Sequence, residues 1–359
     1  MRDLLDDDLR DGASNLLLDC VGMSKGDDVL LVGEDHRRAF FDTRVCQVLA
    51  TAVRELGGRP HIVIAPETDG PENVPDEVAH VIDRMDHTIF VSRLGDQLRF
   101  REIEGSGTKT MCYLHDIEYL RNAFARVPYG ALREVNELLQ REIAARQHCR
   151  ITCPEGTDLS GPVSGDAAVL EDFSVRLFPV MIVPPIEAGG LSGRLVLSRW
   201  LLSTSTHLYE DSFLTLPVPL VVWLEEGRIV GIDGEAEEVD RVRRHFESVA
   251  SRSGGEAFRI HSWHAGTNPT TFFHGRAEDD IEKWADMVFG SPRYTHFHAC
   301  GIAPGDVSIS LFDTTVTFDG EDFWKCGRLA FLDRPEVRDL LGRYPGAGRA
   351  LEMRCDIGI

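Results

Sequence analysis

The apolar runs Val29-Leu-Leu-Val-Gly33 and His61-Ile-Val-Ile-Ala-Pro66 are joined by an amphipathic stretch from Phe40 to Leu56 that stops at Gly57-Gly58. Two short buried strands joined by a helix of that length form a βαβ unit, whose strands lie parallel in one sheet. Around it the same alternation continues. Ser14 to Met23 has helical apolar spacing, broken by Lys25-Gly-Asp-Asp28. Pro75 to Met85 reads as a helix, and Thr88-Ile-Phe-Val91 and Lys109-Thr-Met-Cys-Tyr-Leu114 read as further strands. The expectation is an open α/β domain. The loop after the first strand, Gly33-Glu-Asp-His36, lacks GxGxxG and places acids where a phosphate would sit, which argues against a dinucleotide site.

Ala131 to Cys149 carries Leu132, Val135, Leu138, Leu139 and Ile143 on one helical face and leads into Arg150-Ile-Thr-Cys-Pro154. From Gly156 the pattern changes to short β segments separated by Gly, Pro and Asp. The expected organisation is an α/β domain with a parallel sheet over residues 1–155 and an α+β domain, mostly antiparallel, over 156–359; a chain of 359 residues accommodates both. In the second domain, Pro217–Leu224, the turn Glu225-Glu-Gly227 and Arg228–Ile232 read as a hairpin, followed by a helix from Glu235 to about Ala250. Phe258 to Trp263 and Tyr294 to Cys300 read as strands flanking a helix from Arg276 to Phe289, and a last hairpin runs through Val316–Gly320 toward Leu329-Ala-Phe331.

Composition narrows the function classes. The apolar fraction of 43% and charged fraction of 27% are those of a soluble globular protein, no apolar run reaches the length of a membrane span, and the start, Met1-Arg-Asp-Leu-Leu-Asp-Asp-Asp8, is acidic where a signal peptide is basic. A cytoplasmic protein is expected. The eight cysteines, at 20, 46, 112, 149, 153, 300, 326 and 355, form no CxxC pair, which fits reduced thiols, mostly small core residues. A net charge of -21 repels nucleic-acid phosphates and anionic lipid, so a macromolecular partner is expected to be basic or neutral, such as a peptide.

Unusual chemistry concentrates between His261 and Gly320. His296 and His298 are two apart, so on a strand both point to one face, a spacing able to bind one metal ion, although two imidazoles alone do not fill a site. His261 and His264 flank Trp263; alternation puts them on opposite faces unless a bulge intervenes. Gly266 and Asn268-Pro269 make a turn, with the glycine expected to supply a backbone conformation closed to other residues. Asp158 suits an Asx turn, and Asp233-Gly234 and Asp319-Gly320 suit hairpin or loop turns. Ser203, Ser205, Ser308 and Ser310 lie in no GxSxG, and Ser308 and Ser310 share one strand face; Glu187 and Glu282 are candidate buried acids against the commoner exposed state.

Residues 156–159 (GTDL), 227–234 (GRIVGIDG), 264–269 (HAGTNP), 296–301 (HFHACG) and 314–320 (TTVTFDG) follow an order that resembles the M29 aminopeptidases and the related 2,5-dihydroxypyridine 5,6-dioxygenases, over nearly the whole chain. That resemblance implies a metal-binding second domain, with two metal ions in the peptidases and one non-haem iron in the dioxygenases. It also implies a His-x-Asp ahead of the final Asp-Gly strand, where this chain has Ser308-Ile-Ser310. A Glu or His is implied about four residues before the glycine of Gly-x-Asn-Pro, where Ser262 stands; a shift of one residue puts His261 there. A hydroxyl is a poor ligand for Fe(II) or Zn(II) beside imidazole or carboxylate.

The expectation is therefore a kept scaffold with no cofactor and no metal, and no catalytic residue. Its cleft is lined by His261, Ser262, His264, Asn268, His296, His298, Ser308 and Ser310. In this it looks most like the peptidase-related peptide-binding proteins of crocagin biosynthesis, a ribosomal-peptide natural-product pathway, and implies a protein that holds a precursor peptide, with a homodimer expected. The alternative is a metal-dependent hydrolase or ring-cleaving dioxygenase with a rearranged set drawn from His261, His264, His296, His298 and Asp313.

Overall fold

The computed structural model describes residues 5–35, 40–66, 74, 76–99, 105–163, 175–204 and 213–359; His36, Pro75 and Ser205, named above, lie outside them. In the first half the strands are β1 (Asp28–Glu34), β2 (Arg59–Ala65), β3 (His87–Val91), β4 (Thr108–Cys112) and β5 (His148–Thr152). They are followed by β6 (Asp158–Pro162), β7 (Arg176–Phe178) and β8 (Ile186–Glu187). Five of these form a parallel sheet in the order β2-β1-β3-β4-β7. The apolar runs of β1 and β3 are buried, as strands covered on both faces must be. β2 corrects the expectation of a second buried strand: it is the sheet edge, with Ile62 and Ile64 45% and 53% exposed. An apolar run reports side-chain type, and says nothing of how many strands flank it.

The crossover helix Thr43–Glu55 buries Val45, Val48, Leu49 and Val53, and Asp42 caps it by accepting from Arg44 N at 2.9 Å. The helix expected from Ser14 starts earlier, as α-helix Asp7–Ser14 running into a π-helical segment Asn15–Cys20. The helix expected to reach Cys149 is Tyr129–Ala144, because Cys149 pairs with Gly161 and Phe318 as part of β5. Glu34 closes β1 with its carboxylate accepting from Phe41 N (3.3 Å) and from Arg93 N and Nε (3.2 Å each). A carboxylate thus occupies the strand end where a phosphate-binding loop would need open N–H groups.

The remaining strands are β9 (Ser192–Ser203), β10 (Leu214–Glu225), β11 (Arg228–Asp233), β12 (Ile260–Ala265) and β13 (Tyr294–Ala299). After them come β14 (Val307–Phe312), β15 (Thr315–Phe318), β16 (Glu321–Lys325) and β17 (Arg328–Leu329). With β5, β6 and β8 they build a twelve-stranded sheet in the order β17-β16-β15-β5-β6-β9-β14-β13-β12-β8, with β10 on β9 and β11 on β10. Its pairings are antiparallel. β5 precedes residue 155 and lies in the second sheet, while β7 follows it and lies in the first, so the chain crosses between sheets on both sides of that point.

Both expected hairpins form, with left-handed backbone at Glu226 and Gly227 (φ 47° and 72°) and at Asp319 and Gly320 (φ 49° and 86°), as two-residue turns require. The helix expected from Arg276 begins at Ile281, where the Asp280 carboxylate accepts from Lys283 N at 3.1 Å; Ala277–Asp279 is a 3-10 turn. Asp158 makes no Asx turn: it opens β6 and takes both Nε and Nη2 of Arg150, at 2.9 and 2.8 Å. Glu187 is exposed and Glu282 half-buried; among the described residues the buried acids are Glu34, Asp96, Asp286 and Asp306. One apolar core runs from Leu31 and Leu49 through to Trp263, Phe297 and Phe318. No helix of the described residues is long and apolar enough to cross a membrane.

Candidate metal centre

β12, β13 and β14 are neighbours, and their register sets six polar side chains in two rows across one face. His264 lies opposite His296, which lies opposite Ser310; Ser262 lies opposite His298, which lies opposite Ser308. Strand alternation explains both faces at once, because the intervening Trp263, Phe297 and Ile309 are buried in the apolar core. Directly opposed residues on antiparallel strands bring their side chains together. The rings of His264 and His296 stack at 5.0 Å, and His298 sits 4.9 Å from His264 and 5.1 Å from His296.

The three imidazoles are buried, and each offers a nitrogen within 4.8 Å of the others. Two nitrogens on one tetrahedral zinc are about 3.3 Å apart, so the set would have to draw together by up to about 1.5 Å to share one ion. Two of the rings are already fixed from behind. His264 Nδ1 is 2.8 Å from the carbonyl of Val183, and His298 Nδ1 is 2.9 Å from Asp306 Oδ2 and 3.1 Å from Thr204 Oγ1. His296 Nδ1 is buried without a hydrogen-bond partner among the described residues. Burial holds His264 and His296 well below the usual imidazole range, helped by the neighbouring imidazoles and by Arg99. Both are neutral at physiological pH, the state in which imidazole ligates metal. A set of three imidazoles suits zinc, copper, iron, nickel or cobalt better than magnesium or calcium.

The remaining site residues take distinct places. His261, expected on the face away from His264, comes to the same side, since the β12–β13 register slips between Ile260 and Ser262 and makes it the extra residue of a bulge. Its ring lies 6.1 Å from that of His298 and its Nε2 is 3.4 Å from Asp306 Oδ2; its side chain is 37% exposed, and burial lowers its pKa despite Asp306. The Ser310 hydroxyl meets Tyr294 OH at 2.8 Å, and burial pushes that phenol up to about 12. Asn268 is fully buried, with its Nδ2 donating to Pro179 O (2.9 Å) and its Oδ1 accepting from Thr270 N (3.1 Å) and Oγ1 (2.7 Å).

Gly266 is needed for closeness, where a special φ was expected: a Cβ there would lie 2.2 Å from Ser291 O, and its carbonyl accepts from Trp324 Nε1 at 2.9 Å. Asp313, placed among the alternative ligands, is held by Arg293 Nε and Nη2 at 2.6 and 2.7 Å and stays out of the cluster. Among the described residues, a carboxylate that does reach it is Asp306, fully buried. Its signal was its position: it ends the loop that returns the chain from β13 to β14, so it closes back on the histidines of β13.

No family model matches the chain, and no curated protein does. Among solved structures, it is similar to 2,5-dihydroxypyridine dioxygenase from Pseudomonas putida KT2440, with a TM-score of 0.59 and 13% identity over 93% of this chain and 99% of that one. It is also similar to wild-type AmpT from Thermus thermophilus, with a TM-score of 0.51 and 12% identity over 90% of this chain and 99% of that one. The N-terminal parallel sheet and C-terminal mixed α+β part thus share the overall fold of these two structures, and the described residues of this chain add to it a cluster of three histidines.

Proposed function

We propose that this chain is a metal-binding protein with one ion held by His264, His296 and His298, and that its activity is metal-dependent hydrolysis or ring cleavage. The observation that carries this reading is the backing of the rings. Metal-ligating histidines donate their second N–H to a carbonyl or carboxylate, and His264 and His298 have the Val183 carbonyl and the Asp306 carboxylate at that place. Apolar packing behind the strands, from Trp263 and Phe297, fixes the spacing of the rows. The side chains of Ser262 and Ser308 share this face and would hydrogen-bond a polar ligand, while the Ser310 hydroxyl is taken by Tyr294. A divalent ion at the three imidazoles would polarise a substrate oxygen as a Lewis acid.

Metal analysis of protein purified without chelator tests this. About one equivalent of zinc, copper, iron, nickel or cobalt is expected, lost in His296→Ala and His298→Ala. A protein that stays below a tenth of an equivalent after incubation with each of these ions refutes it.

A second reading, a metal-free protein holding a precursor peptide in ribosomal-peptide biosynthesis, is favoured by Ser262, Ser308 and Ser310 standing where the family resemblance implies ligands. The open edge of β2 would accept a peptide strand. Calorimetric titration of chelator-treated protein with peptides encoded beside its gene separates the two: binding without metal supports the second, and binding of none of them removes it. Light scattering tests the homodimer.

A further inference from the structure

We infer that Asp306 is a positioning residue that fixes the tautomer of His298 and thereby sets the affinity of the three-histidine centre; this rests on the metal-binding reading above. His298 Nδ1 has two neighbours, Asp306 Oδ2 at 2.9 Å and Thr204 Oγ1 at 3.1 Å. They differ in what they permit. A hydroxyl donates or accepts, so Thr204 tolerates either tautomer of the ring; a carboxylate only accepts, so Asp306 requires the proton on Nδ1. With that proton in place, the lone pair of His298 is on Nε2, the nitrogen left to ligate.

The fold invests in this contact. Asp306 is fully buried, its Oδ1 has no hydrogen-bond partner among the described residues, and its Oδ2 is shared by His298 and, at 3.4 Å, by His261 Nε2. An ionised carboxylate in such a place is costly unless donors meet it. The backbone holds it there: Thr204 N donates to Asp306 O at 3.0 Å, and Gly305 N donates to Thr204 O at 2.9 Å. The loop turns at Cys300 and Gly301, both at positive φ, and a Cβ on Gly301 would lie 2.3 Å from Ser253 Oγ. The bulge at His261 supplies the second imidazole facing the same oxygen. A carboxylate behind a metal-binding imidazole orients the ring and raises its basicity, and its loss costs about tenfold to hundredfold in metal affinity.

The test compares wild type, Asp306→Asn and Thr204→Val. Histidine-selective 15N labelling of metal-free protein reads the His298 tautomer, with His298→Gln for assignment, and competition titration with zinc reads affinity. The wild type and Thr204→Val are expected to show the Nδ1–H form. In Asp306→Asn the carboxamide can donate to Nδ1, so the tautomer is expected to change and zinc binding to weaken at least tenfold. An Nε2–H form in the wild type overturns the inference whether or not the variant folds. So does an Asp306→Asn protein whose tautomer is unchanged and whose affinity stays within twofold. Failure of the wild type to bind zinc removes the metal-binding reading instead, while the tautomer comparison still decides what Asp306 does to His298.

Discussion

Lowering the pH should weaken this fold through two buried rings. His264 and His296 have folded-state pKa values held below those of the unfolded chain, chiefly by burial. Below about pH 6.5 the unfolded chain therefore binds more protons than the folded one, and stability falls as pH falls. An imidazole that stays neutral when folded and titrates near 6.5 when unfolded removes about 1.4 kcal/mol between pH 7.5 and 5.5, or about 2.7 kcal/mol for the pair. Urea denaturation of metal-free protein at the two pH values, for wild type and for the double variant His264→Gln and His296→Gln, isolates this contribution, because the other titrating groups are common to both. The wild type is expected to lose more than the variant, by at most about 2.7 kcal/mol. Equal losses would show that the rings are protonated in the fold or solvated within it, and the reasoning would fail. Zinc at a hundred times its dissociation constant should stabilise the wild type by about 2.7 kcal/mol and the variant not at all.

Two further outcomes follow from local geometry. Gly266→Ala forces a Cβ to 2.2 Å from Ser291 O and 2.3 Å from Gly290 C, and is expected to cost about 2–4 kcal/mol in urea titration; a loss under about 0.5 kcal/mol would mean that the two turns are not in contact. A thiol reagent should modify Cys326 and Cys355, which are exposed, within seconds to minutes, whereas Cys20, Cys46 and Cys112, buried and with thiols pushed up to about 12, should react only on unfolding.

What was legible in the sequence is what depends on neighbours along the chain. The run Val29–Gly33, the crossover helix and the His296, His298 pair each declare themselves by period, and the turns at Glu226-Gly227 and Asp319-Gly320 by residue type. What was hidden depends on pairing between distant segments. That His264 stands opposite His296 is a matter of register between strands thirty residues apart. Whether His261 shares their side turns on one slipped residue, which no alternation rule contains. Asp313 is among the alternative ligands read from sequence and Asp306 is not, yet Arg293 claims Asp313 and it is Asp306 that meets His298. β2 read as buried because its apolar residues are those of a buried strand, although no strand of the described residues lies beyond it.

The exchange of β5 and β7 between the sheets bears on how the molecule can move. A cut after residue 155 would leave β5 on one fragment and its neighbours β6 and β15 on the other, and would take β7 from the edge of β4. Layers laced together in this way do not open like a book on a single strap. Parting them would have to bend three chain connections at once, those before β5, between β6 and β7, and between β7 and β8.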